Sequence, residues 1–179
     1  MLAKIATHET ILASLQYDMK LKSIFQLIVC LALPLAVGGL SGFITAREVT
    51  GDWFILLTKP SFNPPNSVFG PVWTMLYALM GISLFMIWNS ETSETRTNAL
   101  LAFFGQLFLN FWWSVFFFSF QRPDVALGEI ILMWLSIIYM IIVFKKIKPA
   151  AAYLQIPYLL WVSFASVLNG AIWWLNRLG

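Results

Sequence analysis

The chain has 179 residues, 60% of them hydrophobic and only 11% charged, with 11 basic against 8 acidic side chains. So few charges cannot wet the surface of a 20.4 kDa globule, which excludes a soluble enzyme and a disordered chain. One cysteine (Cys30) and one histidine (His8) leave no disulfide framework and no metal cluster, and a net charge of +3 is too small and scattered for nucleic acid.

In chain order, residues 1–23 read as a cytoplasmic N-terminal extension. Ile5, Leu12, Leu15 and Met19 recur among polar residues, as in a short helix lying on the membrane surface. The apolar run after Lys22 is too long for the core of a cleaved signal and reads as a span. From there the spans appear as gaps between charges. There are 24 uncharged residues between Lys22 and Arg47, 31 between Lys59 and Glu91, and 25 between Arg96 and Arg122. Another 20 lie between Asp124 and Lys145, interrupted only by Glu129, and 28 lie between Lys148 and Arg177. A helix needs about 20 apolar residues to cross the hydrocarbon, and backbone in lipid must satisfy its own hydrogen bonds. The prediction is an all-α membrane protein, residues 24–179, with five transmembrane helices near 24–46, 67–89, 98–120, 125–144 and 152–175.

Three connections are short. Residues 90–97 are polar and turn-like, Pro123 and Asp124 open the fourth span with Asp124 placed to cap it, and Pro149 follows a basic turn. Short links make successive helices antiparallel neighbours. The exception is the loop 47–66, where Pro60, Pro64 and Pro65 oppose a regular helix. The N-terminal side of the membrane carries seven basic residues and the other side four, so the positive-inside rule places the N-terminus in the cytoplasm. The Pro-rich loop and the C-terminus then face the opposite side.

Conventional catalytic groupings are missing. Cys30 lies mid-helix in apolar company, where a thiol is inert. Glu129 is the one acid inside a span. Being one turn from Asp124, it reads either as an interfacial side chain near a helix N-terminus or as a functional intramembrane group. Gln106, Asn110 and Ser114 form one polar line on the third span, as expected of hydrogen bonds between helices and too little for a channel. Gly38 and Gly42 form a close-packing pair, read as packing inside the bundle, with a dimer contact as the alternative.

The aromatics carry the remaining signal. Trp88, Trp134, Trp173 and Trp174 suit the interfacial belt. Trp73, Trp112, Trp113 and Trp161 fall inside spans, where an indole wants a partner for its N–H and a flat neighbour for its ring. Core packing and a slot for a flat apolar ligand both account for them; the Pro-rich loop, able to act as a lid on such a slot, favours the second.

Trp53, Lys59-Pro60, Pro64-Pro65 and Pro71-Val72-Trp73 make one ordered string, continued by Leu76, Tyr77 and Gly81. Gly105, Gln106, Asn110, Trp112 and Trp113 follow on the third span, and Pro157, Tyr158, Trp161, Phe164, Ala165, Leu168 and Asn169 on the fifth. In these segments the chain resembles the tryptophan-rich sensory protein family, also called the translocator protein or peripheral-type benzodiazepine receptor family. The resemblance runs from about Gly38 to Trp173.

The resemblance implies a five-helix bundle, often a homodimer, in a membrane that for this chain is a bacterial cell membrane. It implies a sensor or binding protein for porphyrins (protoporphyrin IX or a haem-like tetrapyrrole) and sterol-like molecules, with no required cofactor. Carried onto this sequence, the ligand site comprises Trp53 on the lid, Phe69, Val72 and Trp73, Asn110 and Trp113, Leu132, and Trp161, Ala165 and Leu168. Light-dependent porphyrin breakdown, attributed in some similar bacterial members to a Trp pair, would fall to Trp73 and Trp161 as catalytic residues; transport of lipophilic ligands is a further alternative. Three positions depart from the pattern. Val125 stands where animal members have Trp, Glu129 where the family usually has Asp, and no Tyr occurs between Val167 and Arg177 to complete the animal cholesterol motif.

Overall fold

A computed structural model describes the backbone of residues 2–178 and the side chains of residues 19–178. The side chains of His8, Ile5, Leu12 and Leu15 therefore lie outside the described residues. Among the described residues, five helical segments are long and apolar enough to cross a membrane: Met19–Glu48, Asn66–Trp88, Glu94–Ser119, Pro123–Ile147 and Pro149–Asn176. These are the five spans expected from the charge gaps.

Helix α1 runs Leu2–Glu48 and crosses the expected boundary at residue 23 without a break. The Pro-rich connection is not wholly irregular. One short helix, α2 (Asp52–Leu56), forms ahead of the three prolines, which leave that turn untouched. Helix α3 (Asn66–Trp88) then returns through the bundle. Helix α4 (Glu94–Ser114) begins four residues earlier than the hydropathy suggests. The Ser93 hydroxyl accepts from the Arg96 N–H at 3.1 Å, an N-cap that pulls part of the polar turn into the helix. The Arg96 guanidinium reaches back to the Trp88 and Ile87 carbonyls, placing a cation at the C-terminus of α3 and fixing the turn.

The third span does not end as a regular helix. Val115–Ser119 is a π-helical turn, one residue wider than α-helix, and it closes with Arg122 N–H donating to the Phe116 carbonyl at 3.0 Å. Gln121 takes φ of 54° to make that closure. Helix α5 (Pro123–Ile147) follows, with Pro123 in its first position and Arg122 as the N-cap residue. Asp124 is not the cap. Its carboxylate pairs instead with the Arg122 guanidinium at 2.6 Å and 2.8 Å. The last span is in two pieces, α6 (Pro149–Tyr153) and α7 (Ile156–Asn176), because Pro157 must sit in the first turn of a new helix.

The α1–α3, α4–α5 and α5–α7 pairs carry most of the interhelical packing. Helix α5 shows why. Its buried stripe, Ala126, Ile130, Met133, Ile137 and Met140, recurs every three to four residues and faces both α4 and α7. The larger core cluster fills the middle of the bundle, and a smaller one gathers Phe54, Phe117, Phe118, Ala126, Leu168 and Ile172 under the lid.

Helices α1 and α3 approach closely at Gly81, where an added Cβ would strike the backbone of Cys30 and Leu31, and at Gly38, where it would strike the Tyr77 ring. Gly42 and Gly39 meet nothing within 4 Å among the described residues. The packing role expected of the Gly38–Gly42 pair is thus carried by Gly38, with Gly81 as its counterpart on α3. Backbone cannot yield as a flexible side chain can, so Gly81→Val is expected to destabilise the bundle by about 1–3 kcal/mol. Gly39→Ala should be close to neutral. Thermal unfolding of the two variants in detergent measures the difference.

Candidate ligand-binding cavity

A cavity of about 460 Å³ lies between α1, α3 and the end of α4, under α2. Its size falls in the range of small-molecule sites. Apart from Leu35, the α1 side is made of small residues, among them Gly38, Gly39, Ser41, Gly42 and Thr45, which leave the space a larger side chain would fill. From α3 come Phe69, Gly70, Trp73 and Tyr77, and from α4 Asn110, Trp113 and Ser114. Phe54 of α2 and Phe118 of the π turn close the lid end, their ring centroids 5.6 Å apart.

Helix-end geometry explains the aromatic wall. Trp113 stacks on Phe117 at 5.3 Å and meets Phe118 edge-on at 6.0 Å. The extra residue of the π turn is what lets one indole touch rings four and five positions further on. Trp73 stacks on Tyr77 at 5.4 Å, one helical turn away, and meets the Tyr158 ring at 6.2 Å. Trp53 rests edge-on against Phe117 at 6.0 Å and so pins the lid helix to the π turn.

One edge of the cavity is polar. Tyr77 donates to Asn110 Oδ1 at 2.6 Å, Asn110 Nδ2 donates to the Tyr158 hydroxyl at 3.2 Å, and that hydroxyl donates to Gln106 Oε1 at 2.9 Å. The chain joins α3, α4 and α7 through groups that are all buried. The polar line on the third span is therefore interhelical hydrogen bonding in its Gln106 and Asn110 members. Trp113 finds its expected N–H partner in Asn169 Oδ1 at 3.0 Å, and Trp134 in Ser163 at 2.8 Å. Trp161 Nε1 is buried without a partner among the described residues, as are both carboxyl oxygens of Glu129. Glu129 is 8% exposed, so its side chain faces into the bundle.

Of the residues expected at the site, Phe69, Trp73, Asn110 and Trp113 come together on the cavity wall. Val72 packs against the main core beside it, and Trp53 lies over it on the lid. Trp161, Ala165 and Leu168 sit behind the wall: Phe69 meets Trp161 at 5.7 Å, and Ala165 and Leu168 are buried in the core. Leu132 faces away from the bundle, 58% exposed, because it falls off the inward stripe of α5. Trp73 and Trp161 make no ring contact with each other among the described residues. The α1 side was missed entirely; glycines and hydroxyls give no hydropathy signal, and only the Gly38–Gly42 spacing hinted at it.

The sequence pattern of the TspO/MBR family matches residues 30–175, which takes in most of the first span and the four that follow. The chain belongs to the TspO/MBR family. It is 42% identical over 155 residues to the tryptophan-rich protein TspO of Archaeoglobus fulgidus, covering 86% of this chain and 99% of that protein. It is 38% identical over 156 residues to the TspO of Chlorobaculum tepidum, covering 87% and 98%. It is 34% identical over 136 residues to the translocator protein of Homo sapiens, covering 73% and 80%. The family assignment and the five apolar helices make it an integral membrane protein.

Within this TspO/MBR bundle the Asn110 amide is the joint of the polar chain. Asn110→Ala strands the Tyr77 and Tyr158 hydroxyls in a buried setting, at about 1–3 kcal/mol. The expected result is a lowered unfolding midpoint that Ser114→Ala, outside the chain, does not reproduce; differential scanning fluorimetry in detergent checks it.

Proposed function

We propose that this protein binds a flat, largely apolar ligand of the porphyrin class in the cavity under the lid. The observation that carries the reading is a 460 Å³ void walled by the Phe69, Trp73, Trp113 and Phe118 rings along with Tyr77 and Asn110 at one edge. Aromatic faces suit a planar macrocycle, and convergent polar groups at one edge suit the heteroatoms of its rim. The TspO/MBR assignment and relatives named tryptophan-rich sensory protein and CrtK agree with it. The excess of basic residues on the N-terminal side supports an orientation with the lid on the face away from the cytoplasm, which in a bacterial cell membrane would be the outer face.

Titration of protoporphyrin IX into the protein in lipid nanodiscs should quench tryptophan fluorescence saturably. Trp73→Ala removes an aromatic wall, a loss of roughly 1.5–3 kcal/mol, and should weaken the apparent affinity about tenfold or more. Leu132→Ala, on the lipid-facing side of α5, should leave it unchanged. Equal affinities for wild type and Trp73→Ala would reject this site.

The position of Trp73 also favours a second reading, light-driven oxidation of the bound porphyrin. An indole on the wall can exchange an electron with a photoexcited macrocycle, whereas Trp161 is screened by Phe69. Under illumination with oxygen, Trp73→Phe should slow bleaching of bound protoporphyrin IX and Trp161→Phe should slow it less. Equal bleaching by wild type and Trp73→Phe would exclude a role for this indole.

A further inference from the structure

Asn176, at the last turn of α7, lies 118 residues from Thr58 at the far end of the lid. Yet its side chain engages Thr58 at both ends of the amide. Thr58 N–H donates to Asn176 Oδ1 at 2.9 Å, and Asn176 Nδ2 donates to the Thr58 carbonyl at 2.9 Å. The second Nδ2 contact, to the Ile172 carbonyl at 2.7 Å, orients the amide from its own helix. Among the described residues no other hydrogen bond ties residues 52–62 to a membrane-spanning helix.

What the amide holds is connected to the cavity by short covalent and polar links. Lys59, the next residue, sends its ammonium to the Phe54 carbonyl at 2.5 Å and the Leu57 carbonyl at 3.4 Å. The same ammonium lies 4.4 Å from the centroid of the Phe54 ring. A cation at the C-terminal carbonyls of α2 locks that helix to the segment 57–59. Phe54, 8% exposed, is the ring that closes the lid end of the cavity. Segment 58–59 is therefore coupled through Lys59 to Phe54, and its release from α7 loosens one of the holds on that ring.

We propose that Asn176 is a positioning residue, a latch whose paired hydrogen bonds to Thr58 keep Phe54 over the cavity and set the rate at which ligand passes the lid. This rests on the ligand-binding reading above. Thr58 and Asn176 lie outside the cavity wall, so a latch formed alike with the cavity empty or filled raises the barrier to entry and to exit alike and leaves equilibrium affinity nearly unaltered. Such a gate differs from a wall residue such as Trp73, whose loss acts on affinity.

The test is stopped-flow association and release of protoporphyrin IX with the full-length protein in nanodiscs, comparing wild type, Asn176→Ala and Asn176→Asp. Loss of two partly exposed hydrogen bonds should speed both association and release about five- to tenfold in Asn176→Ala, with Kd within about twofold of wild type. Asn176→Asp keeps the acceptor for Thr58 N–H and should fall between. Amide hydrogen exchange at residues 54–59 should accelerate in Asn176→Ala even without ligand. Unchanged rates, or a Kd that weakens in step with release, would overturn the latch. If protoporphyrin IX does not bind wild type at all, the ligand reading fails; the exchange measurement then decides the latch alone, and unchanged exchange would overturn it.

Discussion

The bundle depends on a hydrogen-bonded chain buried where hydrophobicity cannot discriminate. Lipid tails are as apolar as leucine, so helices in a bilayer gain little from hiding apolar faces on one another. Tyr77, Asn110, Tyr158 and Gln106 instead give α3, α4 and α7 one mutual arrangement. Each hydroxyl or amide has its partner on another helix, so a slip of any one helix by a turn would leave polar groups bare in hydrocarbon. The cavity lies against this chain and inherits its rigidity on that side.

The other side is built on the opposite principle. Helix α1 contributes one large side chain to the cavity, Leu35, and otherwise glycines, hydroxyls and Ala46. The rings come from α3, α4, the π turn and the lid. The Trp residues accordingly divide by task. Trp73 and Trp113 wall the cavity, Trp53 fixes the lid to the π turn, and Trp161 backs Phe69. Trp174 lies at the C-terminal end of α7, beneath the Arg177 guanidinium at 3.1 Å from the ring centroid, where an interfacial anchor belongs.

Charge gaps located all five spans because the cost of an ion in lipid leaves its mark on every residue of a span. Boundaries were legible only where a local chemical rule was read as well. Ser93 as a helix cap was present in the sequence and overrode hydropathy at the start of α4. Asp124 looked like a cap, but Pro123 is favoured in the first position of a helix and moved the cap to Arg122. The π turn at Val115–Ser119 left no signal, since its five residues are as apolar as the helix before them. At the site, the α3 and α4 residues were legible because aromatic and amide side chains stand out in an apolar helix. Leu132 shows the limit of carrying a residue over from a family without its helical phase. Glu129 shows the limit of distance along the chain: one turn from the interface, it still faces inward.

The clearance between α1 and α3 differs from glycine to glycine along the pair. At Gly81 an added Cβ would strike the backbone of α1, at Gly38 it would strike the Tyr77 ring, and at Gly42 it would meet nothing within 4 Å. The pair is thus tight at Gly81 and open at Gly42, where α1 borders the cavity under the lid. A site that tapers in this way would measure the proposed ligand by thickness: a single flat ring system would slide to the depth where both helices grip it, and a bulkier one would stop higher up. For the proposed ligand, selectivity would be a matter of seating depth more than of outline, and a methyl added at Gly42, which meets no neighbour within 4 Å, would alter the gauge without touching any contact of the polar chain.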